Sequence, residues 1–244
     1  MSPQTKRFFF WFVIAFLIIF IILISISLIH NFNKSKIISL PAQEMRGVWM
    51  SRFDYTEPFP SYNPDSMKTY IGDSFRRLKD ANFNVIFFQV RGNADAFYAS
   101  RYEPWSNLLT GKLGQNPGWD PLAYAIETAH QLGLELHAWL NVFPAWRGTA
   151  PPTTSQPLHP YLAHPDWLIC DGNGKKMLLS DGYVSFSPGI PAVHNHLIKV
   201  ISDIVSRYDI DGIHFDYLRY PEQSELKGYS HDPISWARFQ SHEG

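Results

Sequence analysis

Asp216 is the side chain in this sequence best placed to do chemistry. It lies in Tyr208-Asp209-Ile210-Asp211-Gly212-Ile213-His214-Phe215-Asp216-Tyr217-Leu218-Arg219-Tyr220-Pro221, where an apolar run ends among polar residues. If the run is a strand, alternation with period two puts His214 and Asp216 on one face. A carboxylate at a strand end can stabilise positive charge developing in a transition state, as nucleophile or as base, which is what cleavage of a glycosidic bond requires. Arg219 is close enough in sequence to favour the ionised form, and His214 could hydrogen-bond the carboxylate or a sugar. The plainer reading is an aspartate that caps the next loop while Arg219 makes a salt bridge; spacing alone does not separate the two. Asp211, at the other end of the run, reads as a turn residue.

Three further groups could line the same cleft. A strand over Leu134–Leu140 gives His137, Trp139 and Asn141 one common face, although a lone histidine is more often a satisfied core residue. Arg91 and Asp95 follow the wholly apolar Val85-Ile86-Phe87-Phe88 run, as substrate contacts or as a structural pair bracing the loop. Arg46 and Trp49, then Asp54 and Tyr55, are expected to do the same after the first strand. Trp146, His159, His164, Asp166 and Trp167 form a mixed cluster whose spacing matches no zinc motif. No metal or cofactor is therefore expected. Aromatic residues make up 16% of the chain and include eight tryptophans, which suits stacking on sugar rings as well as an aromatic core. The net charge of −1 gives no basic footprint for nucleic acid. Cys170 is the single cysteine, so neither an intrachain disulfide nor a cysteine-cluster metal site can form.

These residues need a frame. Short apolar runs at Met45–Met50, Asn84–Val90, Leu134–Leu140 and Asp211–Tyr217 read as strands. Helical periodicity lies between them. One helix runs from a cap at Asp65 or Ser66 to Ala81. Another is opened by Asp120-Pro121 and closed at Gly133. A third spans His194–Tyr208 with Leu197, Ile198, Ile201, Ile204 and Val205 facing inward. Asp232-Pro233 begins a fourth, and a long loop is expected over Asn141–Ala192. This alternation implies a parallel sheet with right-handed crossovers. No glycine-rich phosphate loop follows the first strand, which weighs against a nucleotide-binding sheet. Polar and aromatic loops after the strands suit a (β/α)8 barrel, with its site at the C-terminal ends of the strands. Four β/α units are present, so the sequence is read as the first half of a barrel.

The N-terminus carries a different signal. Residues 8–29 are apolar apart from Ser25 and Ser27, long enough to cross a hydrocarbon core of about 30 Å as a helix. The run is too long for a cleaved signal peptide, and no small residues follow it. It is expected to be an uncleaved anchor in the cell membrane, with residues 1–7 as a cytoplasmic tail, 30–43 as a stalk and 44–244 as an extracytoplasmic domain.

Several stretches taken together resemble one family. They are Glu44-Met45-Arg46-Gly47-Val48-Trp49, Gln89-Val90-Arg91 with Asp95-Ala96-Phe97-Tyr98, Asp120-Pro121-Leu122, Gly133-Leu134-Glu135-Leu136-His137-Ala138-Trp139-Leu140-Asn141, and Asp211-Gly212-Ile213-His214-Phe215-Asp216-Tyr217 with Tyr220-Pro221. The pattern, from Glu44 to the C-terminus, resembles the bacterial glycosyl hydrolase-like family 10 domain (DUF187). The resemblance implies a (β/α)8 barrel, export from the cytoplasm, and hydrolysis of O-glycosidic bonds in cell-envelope glycan such as peptidoglycan strands. It places Asp216 where related retaining barrel glycosidases carry a nucleophile. Arg46, Trp49, Arg91, Asp95, His137, Trp139, Asn141, His214 and Arg219 are then the substrate-binding candidates. The acid/base partner is expected on later strands. Two other functions fit the same residues: a membrane-anchored glycan-binding module without catalysis, and a metal-dependent hydrolase using His137, His214 and Asp216. The second is weakened because the first strand lacks a His-x-His pair.

Overall fold

The computed structural model describes residues 44–221, 228–229 and 231–243. The expected tail, membrane span and stalk lie outside them. Among the described residues no helix is long and apolar enough to cross a membrane.

Strands β1 (Gly47–Met50), β2 (Val85–Arg91) and β3 (Glu135–Asn141) pair side by side. They alternate with helices α1 (Arg52–Thr56), α2 (Pro64–Asp80) and α3 (Pro121–Gln131). After β3 come a short antiparallel pair, β4 (Pro144–Trp146) and β5 (Val184–Ser185), with α4 (Pro160–Ala163) between them. Then follow α5 (Pro191–Arg207), β6 (Gly212–Asp216) and α6 (Pro233–Glu243). The main sheet is parallel throughout, in the order β1-β2-β3-β6. All its strands therefore end on the same side of the molecule, where a β/α fold places its chemistry.

The helices begin and end where their chemistry dictates. Asn63 caps α2, accepting from the N–H groups of Asp65 and Ser66, with Pro64 at the first helical position. The expected cap at Asp65 or Ser66 is corrected by two residues or more, because Asn63 offers a free side-chain oxygen before a proline that has no N–H to satisfy. Asp120 caps α3 as expected, and Gly133 ends it in the left-handed conformation at φ 64°. On α5 the buried residues include Val193, Leu197, Val200 and Ile204, whereas Ile198 and Val205 are 60% and 57% exposed. The helix is thus rotated relative to the inward face expected from its apolar residues, and Asp203 is buried instead. Asp203 holds Arg207 at 3.0 Å one turn on, an interaction that apolar periodicity does not register.

Two hydrophobic clusters fix this frame. On one face of the sheet Ile86, Phe88, Val90, Leu136, Ala138 and Leu140 pack against α2, α3 and α5. The expected long loop folds around a cluster of its own, which includes Phe143, Ile169, Val184 and Phe186 and reaches Val193 and Leu197 of α5. The other face of the sheet carries aromatic rings: Phe87 lies 4.9 Å from Trp49, 5.3 Å from His137 and 5.1 Å from His214. Gly212 makes room here, since a Cβ at that position would stand 2.6 Å from the His137 ring. In a β/α barrel this is the face that turns inward and is filled by side chains.

Candidate active site at the strand ends

Asp216 closes β6, in register with Asn141 at the end of β3. Both its carboxylate oxygens accept hydrogen bonds, one from the Trp139 indole at 3.2 Å and one from the Tyr217 backbone N–H at 2.7 Å. The donors are neutral, not the Arg219 guanidinium that sequence spacing suggested. Arg219 lies over the Tyr217 ring, 5.3 Å from its centre. Tyr217 itself has φ 52°, a conformation uncommon for a bulky residue and concentrated at functional sites. Its ring stands 5.4 Å from that of Tyr183, which arrives from the β3–β5 loop.

Beneath Tyr183 runs a buried polar chain. Arg52, at the start of α1 and 2% exposed, donates to the Tyr183 hydroxyl at 3.1 Å and to the side-chain amide oxygen of Gln89 at 2.9 Å. Gln89 donates in turn to Asn141 at 3.0 Å, and Asn141 to the Gly92 carbonyl at 3.2 Å. The chain links the C-terminal ends of β1, β2 and β3 to the loop that carries Tyr183. It needs glycine at 92, because a Cβ there would stand 2.6 Å from Arg52 Nε.

Arg91 belongs to a second network. It makes a two-pronged pair with Glu103, 2.8 Å on each prong, and both side chains are wholly buried. Arg91 also donates to the carbonyls of Asn141 and Val142, and His196 reaches Glu103 at 2.9 Å. Burial alone would push the Glu103 carboxyl up. The Arg91 charge and the hydrogen bonds from His196 and Arg91 outweigh it and hold the group down at about 2. Nearby, Asp95 is buried and accepts from the Asn93 N–H at 2.8 Å. His159 bonds the Asn93 carbonyl at 2.9 Å, and its burial pushes its pKa below the ordinary histidine value.

The structure therefore divides the sequence candidates. Asn141 and Asp216 end neighbouring strands, the Trp139 indole reaches Asp216 from one row below, and Arg219 lies over the Tyr217 ring that follows. Arg91 and Asp95 lie beneath them as braces, and Arg91 pairs with Glu103 rather than with Asp95. His214 is two residues, roughly 7 Å, below the Asp216 row, and accepts from the Trp49 indole at 3.2 Å rather than facing the carboxylate. His137 is four residues below Asn141, in register with Phe87 and Gly212, and meets Glu135 at 3.2 Å. Trp49, His137 and His214 are thus members of the aromatic layer on the sheet. Arg46 precedes β1, at the opposite end from Asp216, because in a parallel sheet every strand begins on the far side; its backbone pairs with Asn84 there. The three proposed metal ligands are not gathered, and among the described residues no three of His, Cys, Asp or Glu form a metal-binding group. Of the loop cluster, Trp167 packs in the second hydrophobic cluster and stacks with His164 at 3.8 Å. Sequence reasoning missed Arg52 and Tyr183. Arg52 carries a weak signal, a cation two residues beyond a strand, whereas Tyr183 lies deep in a loop and carries none.

A parallel sheet of four β/α units with a carboxylate, an amide and aromatic rings toward its C-terminal edge defines an α/β protein, in an arrangement consistent with part of a β/α barrel. Solved structures of that kind superpose on it: the PgaB (BpsB) glycoside hydrolase domain from Bordetella bronchiseptica, with TM-score 0.55 and 16% identity over 83% of this chain and 51% of that one, and alpha-L-fucosidase isoenzyme 2 from Paenibacillus thiaminolyticus, with TM-score 0.50 and 18% identity over 82% of this chain and 29% of that one. The chain belongs to the family described as Glycosyl hydrolase-like 10, which matches residues 44–241. It is 35% identical over 199 residues to the glycosyl hydrolase DigH of Escherichia coli, covering 74% of this chain and 43% of DigH. It is 33% identical over 205 residues to the glycosyl hydrolase YngK of Bacillus subtilis, covering 79% of this chain and 38% of YngK. The chain spans less than half the length of these relatives.

Proposed function

We propose that the protein hydrolyses O-glycosidic bonds in cell-envelope glycan, of the kind found in peptidoglycan strands, with Asp216 as nucleophile or base. The observation that carries this is the placing of Asp216: at a strand end, ionisable, held by two neutral donors, and flanked by Trp139 and Tyr217. Neutral donors orient a carboxylate while leaving its charge uncancelled, so it can answer the positive charge that develops at an anomeric carbon. Aromatic rings beside it suit the C–H faces of a pyranose. Family membership and the names of the relatives DigH and YngK support the same reading. Residues 8–29 are proposed to hold the domain at the outer side of the cell membrane, where such glycan lies.

The test is release of reducing ends from purified peptidoglycan glycan strands by the intact protein and by Asp216→Asn. A fall of about a thousandfold or more in kcat/KM is expected, the scale for loss of a group that acts in the transition state. Equal rates would remove Asp216 from the mechanism. Binding of strands by the wild type without new reducing ends would favour a glycan-binding module instead.

A further inference from the structure

We propose that Tyr183 is a substrate-contacting residue whose hydroxyl proton Arg52 directs into the site beside Asp216. This rests on the hydrolase reading given above. The argument begins with hydrogen-bond chemistry. A guanidinium has donors only, so in the 3.1 Å contact between Arg52 Nη2 and the Tyr183 hydroxyl the phenol oxygen must accept. The phenol keeps its own proton to donate, and among the described residues nothing accepts it. The tyrosine is half-buried, and that proton remains for an acceptor from outside the described residues.

Arg52 is an expensive way to hold a tyrosine. It is 2% exposed, its partners Gln89 and Tyr183 are neutral, and its Nε–H is buried with no acceptor. An orphaned buried donor destabilises the fold, and retained local cost of this kind clusters at working sites. The geometry around it is built to one arrangement. Glycine at 92 lets the guanidinium lie against the backbone. Phe53 lies 4.2 Å beneath Arg52, and Arg147 stands 5.4 Å over the Tyr183 ring. The Tyr183 ring in turn meets Tyr217, whose N–H holds Asp216. A sugar ring seated on Asp216 has hydroxyl or amide oxygens to offer, and a preset phenol O–H is a donor for one of them. Arg52 acts through Tyr183 and is therefore a positioning residue.

The experiment is a double-mutant cycle in the intact protein on peptidoglycan glycan strands, with Tyr183→Phe, Arg52→Lys and the pair. Melting temperatures confirm that each variant is folded, and Tyr183→Phe, which removes only one oxygen, is the variant safest for the fold. Tyr183→Phe is expected to lower kcat/KM about tenfold, the scale of one hydrogen bond. Arg52→Lys should give a similar fall, because an ammonium reaches Gln89 or Tyr183 but cannot fork between them. The double variant should be no worse than Tyr183→Phe alone. That non-additivity is what a merely structural arginine would not produce. Unchanged kcat/KM in Tyr183→Phe, with a wild type that cleaves, overturns the role of Tyr183 and leaves the hydrolase reading standing. Falls that multiply overturn the coupling to Arg52. If the wild type binds strands without cleaving them, the same cycle is read in Kd by tryptophan fluorescence, with the same tenfold and the same non-additivity expected. A wild type that neither cleaves nor binds removes both readings together.

Discussion

Two arginines are almost wholly buried within a few residues of each other in space, and they are held in opposite ways. Arg91 has a full carboxylate partner, Glu103, and two backbone carbonyls. Arg52 has a glutamine, a tyrosine and one donor left over. Both share Asn141: Arg91 through its carbonyl, Arg52 through Gln89. The paired arginine is locked in a finished network that fixes where β3 ends. The other is left with neutral partners, one of which, Tyr183, packs against the Tyr217 that holds Asp216. A charge that is completed inside the protein does structural work; one that is only partly satisfied, at a strand end, is where a ligand's atoms can complete the arrangement.

The largest expected effect breaks the finished network. Glu103→Gln strands the Arg91 charge, and Arg91→Met strands the Glu103 charge. Each should destabilise the fold by about 3–5 kcal/mol, the scale for breaking a buried ion pair by removing one partner. Urea unfolding measures it, and a loss under 1 kcal/mol would show that water reaches the pair. Acid gives the same test without mutation. The Glu103 carboxyl sits at about 2 in the folded protein, against roughly 4.3 for an unperturbed glutamate in the unfolded chain. The folded state therefore resists protonation. The stabilisation is complete above about pH 4.3 and is lost as the pH falls toward 2. The pH dependence of unfolding should flatten in Glu103→Gln over that window.

The unfinished arginine should behave differently. Arg52→Met removes hydrogen bonds to neutral groups and strands no charge, so it should cost about 1–2 kcal/mol, clearly less than Arg91→Met. A cost as large as that of Arg91→Met would erase the distinction drawn between the two. Gly92→Ala approaches the same arginine from the backbone side. Its methyl would meet Arg52 Nε, Cζ and Cδ at 2.6–2.8 Å, and overpacking of this kind costs about 1–3 kcal/mol. Displacement of the guanidinium should also weaken activity on glycan strands when Arg52→Met does.

The contrast also explains what the sequence could and could not disclose. All four strands of the main sheet were legible, because each is apolar on alternating or both faces and is bounded by turn chemistry. The common face of Asp216 with His214, and of Asn141 with Trp139, followed from period two along β6 and β3. His137 and His214 share that face, but a face is not a depth. Which rows lie at the rim depends on register, and register arises from pairing between residues 38 to 75 positions apart. For Arg91 the sequence left a substrate contact and a brace with Asp95 equally open, and the partner it finds is Glu103, twelve residues on in a loop. Tyr183 was not legible at all. It owes its position to the cluster of Phe143, Ile169 and Val184, which folds the loop back over the strand ends.

The smallest expected effect supplies the lower end of the scale. Arg76 lies on α2 with its side chain 61% exposed and pairs with Asp73, also on the surface. Such a pair gains little Coulomb energy in water and loses side-chain entropy to hold one geometry, so its worth is about 0–1 kcal/mol. Arg76→Ala should shift the urea midpoint barely at all, and less still at high salt, which screens exposed charges. If it costs as much as Arg52→Met, loss of any arginine weakens this chain and the Arg52 value carries no information about its site. If it is near zero while Arg52→Met and Arg91→Met separate as expected, the three arginines form a graded series. What grades them is the partner each one finds once it is taken out of water.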